Sequence, residues 1–195
     1  MTSRPDIRPA ALDFLLTRRS VPAKTLQAPV PDDQALTLLL SAAARCPDHG
    51  KLEPWRFMVI RRNAMARLAD TAEARARAEG FDDLRTAKGR SQFDQGLLAV
   101  AVIEVQRESD KVPALEQTYS AGAVCLSLLN AALAAGWGAN WLSGWPSHDR
   151  EWMRDALGLA DHERVAGFIH IGTPTSAVPD RPRPDIASIT TWIDE

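Results

Sequence analysis

Cysteine is scarce in this chain, which has only Cys46 and Cys125 among its 195 residues. Their separation is too wide for a CxxC redox or zinc motif, and each lies in an apolar, helix-like stretch. We expect two buried thiols in a reducing compartment rather than a disulfide. No HExxH motif occurs, and His162 and His170 lack the spacing of metal ligands, so the sequence predicts no metal site.

An excess of charge of one sign is also lacking, because 23 basic and 25 acidic side chains give a formal net charge of -2. No overall field therefore attracts nucleic acid or an anionic membrane. The longest apolar segment, residues 121–136, is interrupted by polar residues and falls short of a membrane span. The N-terminal residues show no signal-peptide pattern. We expect a cytoplasmic protein that binds neither nucleic acid nor membranes.

Motifs of nucleophilic and dinucleotide-binding enzymes are incomplete. The sequence GWGAN at residues 136–140 begins like a dinucleotide loop, but Trp141 takes the place of the third glycine and a strand-like segment follows. Ser143 precedes a glycine without the first half of a nucleophile elbow. His148, beside Asp149 at a polar helix start, is better explained by helix capping than by acid–base chemistry. We therefore assign no catalytic side chain.

Helical and strand-like patterns are interleaved along the chain. Alternating or continuous apolar residues predict four strands, at residues 55–61, 97–105, 138–143 and 165–172. Capping residues and apolar faces predict five helices, near residues 10–17, 32–45, 64–80, 120–136 and 150–157. Without a strict βαβ alternation, this order indicates an α+β fold with a mixed central sheet of about four to five strands flanked by helices.

The C-terminal segment is rich in proline and differs from the rest of the chain. Its sequence from residue 174 to residue 184, PTSAVPDRPRP, cannot form regular structure. We expect one domain over residues 1–195, with residues 174–195 as an extended arm. The helix at residues 120–136 is apolar on nearly all sides, and a small sheet cannot cover every face of such a helix. The sequence therefore also predicts a homodimer.

Two pairs of arginines suggest a local site for an anion. Arg18 and Arg19 precede Ser20 at the end of the first helix, and Arg181 and Arg183 alternate with prolines in the arm. Guanidinium groups bind phosphate through paired, charge-assisted hydrogen bonds, so the two pairs could clamp one phosphate between the chain ends. A solvated helix end is the alternative interpretation of the first pair.

The order of several short motifs makes a family resemblance visible. RRS near the N-terminus is followed by ARCPDHGKLEPWRF at residues 44–57, by GWGANWLS, and by IGTP with RPRPD. This series, over essentially the whole chain, resembles the nitroreductase family, in particular its small single-domain branch. The resemblance implies an FMN-dependent α+β oxidoreductase that forms an intertwined homodimer with two flavins at the subunit interface.

The resemblance also implies a set of cofactor-binding positions, which we carry over residue by residue. Those expected to contact FMN are Arg18, Arg19, Ser20, Trp141, Leu142 and Ser143. Those expected to reach the flavin bound mainly by the other subunit are Arg45 and His49. Those expected to hold its phosphate are Arg181 and Arg183.

The implied reaction takes electrons from NADH or NADPH through FMN to a nitroaromatic, a quinone or a similar small acceptor, in ping-pong order. Pro22 stands where many larger members have a basic residue, so the cation near the flavin pyrimidine is expected to be Arg45 first and Lys24 second. Asp48, Lys51 and Leu142 also depart from the pattern of relatives. The alternatives are a flavin-binding protein or scaffold with little turnover, and a flavoenzyme acting on an aldehyde, an enone or a halogenated aromatic.

Overall fold

The computed structural model describes residues 8–194 and contains an antiparallel sheet with helices on both faces. The helices are α1 (Pro9–Thr17), α2 (Asp33–Ala43), α3 (Arg62–Ala78), α4 (Asp83–Arg90), α5 (Ala114–Ala134) and α6 (Arg150–Leu157). The strands are β1 (Leu26–Gln27), β2 (Trp55–Arg61), β3 (Leu98–Val105), β4 (Gly138–Leu142) and β5 (Glu163–Pro174). The predicted α+β class and the strand number are confirmed.

Strand β5 lies at the centre of the sheet. It pairs with β3 on one side and with β4 on the other, so that His170 is opposite both Ala99 and Asn140. β2 pairs with the outer side of β3, and β1 pairs with the last residues of β5. Every ladder in residues 8–194 is antiparallel, which corrects the predicted mixed sheet. β3 and β4 do run parallel to each other across the single helix α5, but β5 lies between them.

The sheet separates two hydrophobic layers. On one face, α3 and α6 cover a cluster in which Phe93, Trp152 and Phe168 contact one another. On the other face, α2 and α5 cover a second cluster of mainly aliphatic side chains. Each residue of β3 is buried, as its continuous apolar sequence LAVAVIEV predicts for a central strand.

Aspartate side chains cap the first turns of α2 and α6. The Asp32 carboxylate accepts a hydrogen bond from the backbone N–H of Ala35 at 2.8 Å, and the Asp149 carboxylate accepts one from Trp152 at 2.7 Å. The cap of α6 is therefore Asp149, and His148 is exposed beside it. The short polar helix α4 was not predicted, because its sequence DLRTAKGR has no apolar periodicity.

Two further boundaries differ from the predicted ones. Helix α5 begins at Ala114, well before the apolar run at residue 120, because its first turns contain polar and charged residues. Strand β5 begins at Glu163 and continues to Pro174, since pairing with β3 and β1 extends it at both ends. In the part of the chain from residue 8 to residue 194, no helix has both the length and the apolar character needed to cross a membrane.

Candidate functional site

The end of α1 and the C-terminal arm meet in space. After Thr17 the backbone leaves the helical conformation, and the guanidinium of Arg18 donates a hydrogen bond to Ser20 Oγ at 2.9 Å. Arg19 Nε donates to the backbone carbonyl of Pro179 at 3.2 Å. This bond joins positions 160 residues apart, so the fold places the arm directly against the RRS corner.

Arg183 completes a cluster of three guanidinium groups, which we call the arginine cluster: Arg18, Arg19 and Arg183. Arg183 Nη2 donates to Asp180 Oδ1 at 2.7 Å, and the same carboxylate oxygen lies 3.9 Å from Arg19 Nε. The pKa of Arg18 is lowered, first by burial and then by the positive charges of Arg183 and Arg19. The arginine cluster is therefore a region of concentrated positive charge.

The donors of this cluster fit a phosphate monoester. Arg18 Nε is buried and has no hydrogen-bond partner among residues 8–194, although buried polar atoms in proteins nearly always have one. Arginine forks and a serine hydroxyl are the groups that bind phosphate oxygens through charge-assisted hydrogen bonds. A phosphate would satisfy the buried N–H group and reduce the mutual repulsion of the guanidinium groups.

The structure distinguishes the two arginines of the arm. Arg183 lies close enough to Arg18 to lower its pKa, whereas the Arg181 side chain is exposed and forms no hydrogen bond or ion pair with residues 8–194. Of the two arginines predicted in the arm, Arg183 therefore belongs to the arginine cluster and Arg181 does not.

The RRS corner is attached to strand β4, which carries the next predicted positions. Val21 N–H donates to the carbonyl of Ala139 at 2.9 Å, and Asn140 Nδ2 donates to the carbonyl of Val21 at 3.0 Å. Trp141 and Leu142 are half-buried at the end of this strand, and Ser143 is exposed just after it. The N-terminal corner and the segment 141–143 therefore form one connected region.

Trp141 depends on a glycine of the neighbouring strand. A Cβ built on Gly167 would lie 2.1 Å from Trp141 Nε1, a distance that heavy atoms cannot adopt without a shift. The absence of a side chain at Gly167 lets the indole lie close to β5. Gly167 is a supporting residue that sequence reasoning missed, because a lone glycine in a strand pattern signals close approach without identifying the neighbour.

Gln92 is a second residue that the sequence did not point to. A Cβ built on Gly144 would lie 1.8 Å from Gln92 Nε2, and Gln92 Oε1 is buried without a hydrogen-bond partner in the described chain. Next to it is a cavity of about 10 Å³ lined by Lys24, Gly96 and His170, among others. Lys24 and Gln92 therefore line the same small cavity.

The buried side chain of His170 is expected to make the protein less stable in acid. Burial lowers its pKa to about 4, whereas an unfolded histidine titrates near 6.5. Between pH 6.5 and pH 4, the unfolded chain binds a proton at His170 that the folded chain does not. The stability that the neutral histidine contributes is therefore fully present above pH 6.5 and decreases as the pH falls toward 4. We expect the free energy of unfolding to decrease by about 3 kcal/mol over this interval.

The measurement is urea unfolding of the wild type and of His170→Leu at several pH values between 4 and 7. Leucine has no proton to bind, so the variant is expected to lose less stability across this interval than the wild type. Parallel curves for the two proteins would show that His170 does not cause the loss.

The loop from residue 44 to residue 57 docks on the first half of α5. Ser120 Oγ donates to the carbonyl of Pro47 at 2.8 Å and accepts a hydrogen bond from Trp55 Nε1 at 3.2 Å. Trp55 is partly buried and also packs against the cluster beneath α2 and α5. The loop is therefore held at both of its ends by one serine of α5.

The centre of this loop presents His49 at the surface. The Asp48 carboxylate accepts hydrogen bonds from the N–H groups of Leu52 and Glu53, at 3.1 and 2.8 Å, which closes the turn. His49 Nδ1 lies 2.6 Å from Glu116 Oε2 on α5. The His49 side chain is 61% exposed, so it faces the surface beside α5.

Within one chain, the predicted site residues form two separate groups. Arg45 and His49 are both exposed, and no hydrogen bond or ion pair links them to the arginine cluster in the described residues. The Arg45 side chain has no such partner in that part of the chain at all. In the described residues, the two groups are therefore not joined by a direct polar contact within one chain.

Comparison with known proteins finds a matching family profile and similar sequences. The sequence profile described as "Nitroreductase family" matches residues 15–173. The Escherichia coli (strain K12) protein named "Putative NAD(P)H nitroreductase YdjA" is 35% identical over 164 residues, which cover 84% of this chain and 88% of that protein.

Solved structures share the fold at lower identity. The crystal structure of a nitroreductase-like family protein from Bacillus cereus has a TM-score of 0.77 at 21% identity and covers both chains fully. A structure from Desulfovibrio desulfuricans in complex with FMN has a TM-score of 0.73 at 22% identity and covers 98% of each chain.

Proposed function

The chain belongs to the nitroreductase family, and on this premise we propose that it is an FMN-dependent oxidoreductase. The electron donor is NADH or NADPH, and the acceptor is a nitroaromatic, a quinone or a similar small molecule. The observation that carries the proposal is the arginine cluster with the unpartnered buried Nε of Arg18. FMN supplies the electron-transfer chemistry when bound, and the protein supplies position and electrostatics.

The chain's own residues have distinct roles in this proposal. Arg18, Arg19, Ser20 and Arg183 bind the phosphate, which fixes one end of the cofactor. The segment from Trp141 to Ser143 lies along the ring system, held in place by the hydrogen bonds between Val21 and β4. Arg181 is the weaker candidate for the phosphate, because in residues 8–194 its exposed side chain forms no hydrogen bond or ion pair.

The proposal includes a homodimer, which exposed apolar side chains support. Helix α1 has no buried residue, and Leu15 and Leu16 are 59% and 71% exposed. Tyr119 and Leu126 on α5 are 64% and 46% exposed, and Trp192 in the arm is 81% exposed. Several large apolar side chains exposed on α1, α5 and the arm are what a surface that contacts another copy would present. A second copy would cover them and bring its own Arg45 and His49 to the first copy's FMN.

Light scattering measures the assembly directly. We expect a mass of about twice the 21.3 kDa of one chain. Leu126→Asp, which places a charge on the exposed face of α5, is expected to shift the mass toward that of one chain and to release flavin. A wild-type particle of 21.3 kDa that retains flavin would contradict the two-copy site.

The activity is tested by the visible absorbance spectrum. Purified protein is mixed with FMN, excess flavin is removed, and NADH or NADPH is added without oxygen. We expect retained yellow colour that bleaches with one or both nicotinamides and returns with a nitroaromatic or a quinone. Colour that does not bleach would favour a flavin-binding protein with little turnover, and a colourless protein would contradict FMN binding.

The proposed location is the cytoplasm. Both cysteines are free thiols in the structure, and Cys125 is buried in the layer beneath α5. Burial raises the pKa of Cys125 to about 12, so this residue remains a neutral thiol at physiological pH. Two unpaired cysteines are compatible with a reducing compartment.

A further inference from the structure

Asp180 occupies an unusual place among the groups that bind phosphate. Its carboxylate accepts a hydrogen bond from Arg183 at 2.7 Å and lies 3.9 Å from Arg19, so it contacts two members of the arginine cluster. The N–H of Arg181 and the guanidinium of Arg183 lower the pKa of this carboxyl, so it is negatively charged at neutral pH. A charged group of the chain itself thus pairs with the guanidinium groups assigned to the cofactor.

We propose that Asp180 is a built-in competitor of the cofactor phosphate, which lowers the affinity of the arginine cluster for phosphate monoesters. This inference rests on the proposed function, since it concerns the same site. When phosphate binds, Arg183 exchanges the Asp180 carboxylate for phosphate oxygens, and the carboxylate turns to solvent. The site therefore binds FMN less tightly than its three arginines would allow.

Two opposing effects of Asp180 have to be weighed. The carboxylate could help binding by holding Arg183 in place, but its side chain is 73% exposed and that of Arg183 is 47% exposed. Exposed ion pairs of this kind contribute little to fixing geometry. Arg19 is held independently by the carbonyl of Pro179. Repulsion between the carboxylate and a phosphate dianion acts over several ångströms, so the competitive effect dominates.

The test compares wild type with Asp180→Asn, which keeps the shape of the side chain and removes its charge. Dissociation constants for FMN and riboflavin are measured at low ionic strength by flavin fluorescence. We expect the variant to bind FMN about fivefold to tenfold more tightly. Riboflavin lacks the phosphate, so its affinity should not change.

Asp185→Asn is the matched control. Asp185 lies in the same arm, where its carboxylate accepts a hydrogen bond from the N–H of Ala187 at 3.1 Å and contacts no arginine of the cluster. This variant is expected to bind FMN like the wild type. Unchanged or weaker FMN binding by Asp180→Asn, or an equal gain for riboflavin, would overturn the proposal.

Inorganic phosphate separates this inference from the proposed function. If the wild type binds neither flavin, FMN dependence fails, but phosphate can still be tested on the same proteins through its effect on Tm. We expect phosphate to raise Tm more for Asp180→Asn than for the wild type or Asp185→Asn. Equal shifts in all three proteins, or no shift in any, would reject competition by Asp180.

Discussion

Replacing Arg18 by methionine is expected to weaken FMN binding by about a hundredfold, because it removes a partly buried charge and its hydrogen bonds from the phosphate site. Arg18 is the member of the arginine cluster with a buried, unpartnered Nε in the described chain. Methionine fills most of the same space, so folding should be retained. The measurement is the FMN dissociation constant, with riboflavin as the ligand that lacks the phosphate.

The arm offers a matched pair of variants for this prediction. Arg183→Gln is expected to weaken FMN binding by about tenfold or more, whereas Arg181→Gln should leave it nearly unchanged. The two residues lie two positions apart and carry the same charge, so a general effect of net charge would change both constants equally. Equal losses, or a larger loss at Arg181, would contradict the assignment of Arg183 to the site.

Phe168→Ala is expected to lower the free energy of unfolding by about 3–5 kcal/mol. Phe168 is fully buried on β5, and its ring lies 5.2 Å from that of Phe93 and 6.4 Å from that of Trp152. These three rings lie together in the layer between the sheet and the helices α3 and α6. Truncation leaves a cavity that the surrounding rings cannot close, because each is packed against other core residues.

Val59→Ala is the control, since Val59 lies on β2 with 38% of its surface exposed and loses much less apolar burial. Urea unfolding should be compared at one protein concentration, because assembly of two copies would contribute to apparent stability. A loss below about 1 kcal/mol for Phe168→Ala would show that this layer is not the principal core.

The arrangement of the arginine cluster explains why both ends of the chain matter to one site. Arg18 and Arg19 follow the first helix, while Arg183 belongs to a segment with no helix or strand between residues 175 and 186. That segment is held to the N-terminal region by Thr175, whose N–H and hydroxyl both donate to the carbonyl of Thr25. Loosening of this junction is expected to lower phosphate affinity without unfolding the sheet.

Several features could be predicted from the sequence because they depend on local patterns. The apolar run of β3, the alternation of β2 and the capping aspartates of α2 and α6 determine secondary structure within a few residues. The same holds for the two arginine pairs, whose residue types alone indicate an anion. Helix α4 was missed because its position is set by tertiary contacts, such as that of Gly89 with the Trp145 ring, rather than by periodicity.

Only the tertiary structure decided which groups meet. No local pattern shows that Arg19 contacts Pro179, that Arg183 rather than Arg181 joins the cluster, or that Asp180 lies among the guanidinium groups. The antiparallel pairing of the strands could not be predicted from local patterns either. The position of β5 between β3 and β4 depends on contacts between segments that are far apart in the chain. The sequence determines which chemistry a segment can provide, but the distance between two charges is set by how the whole chain packs.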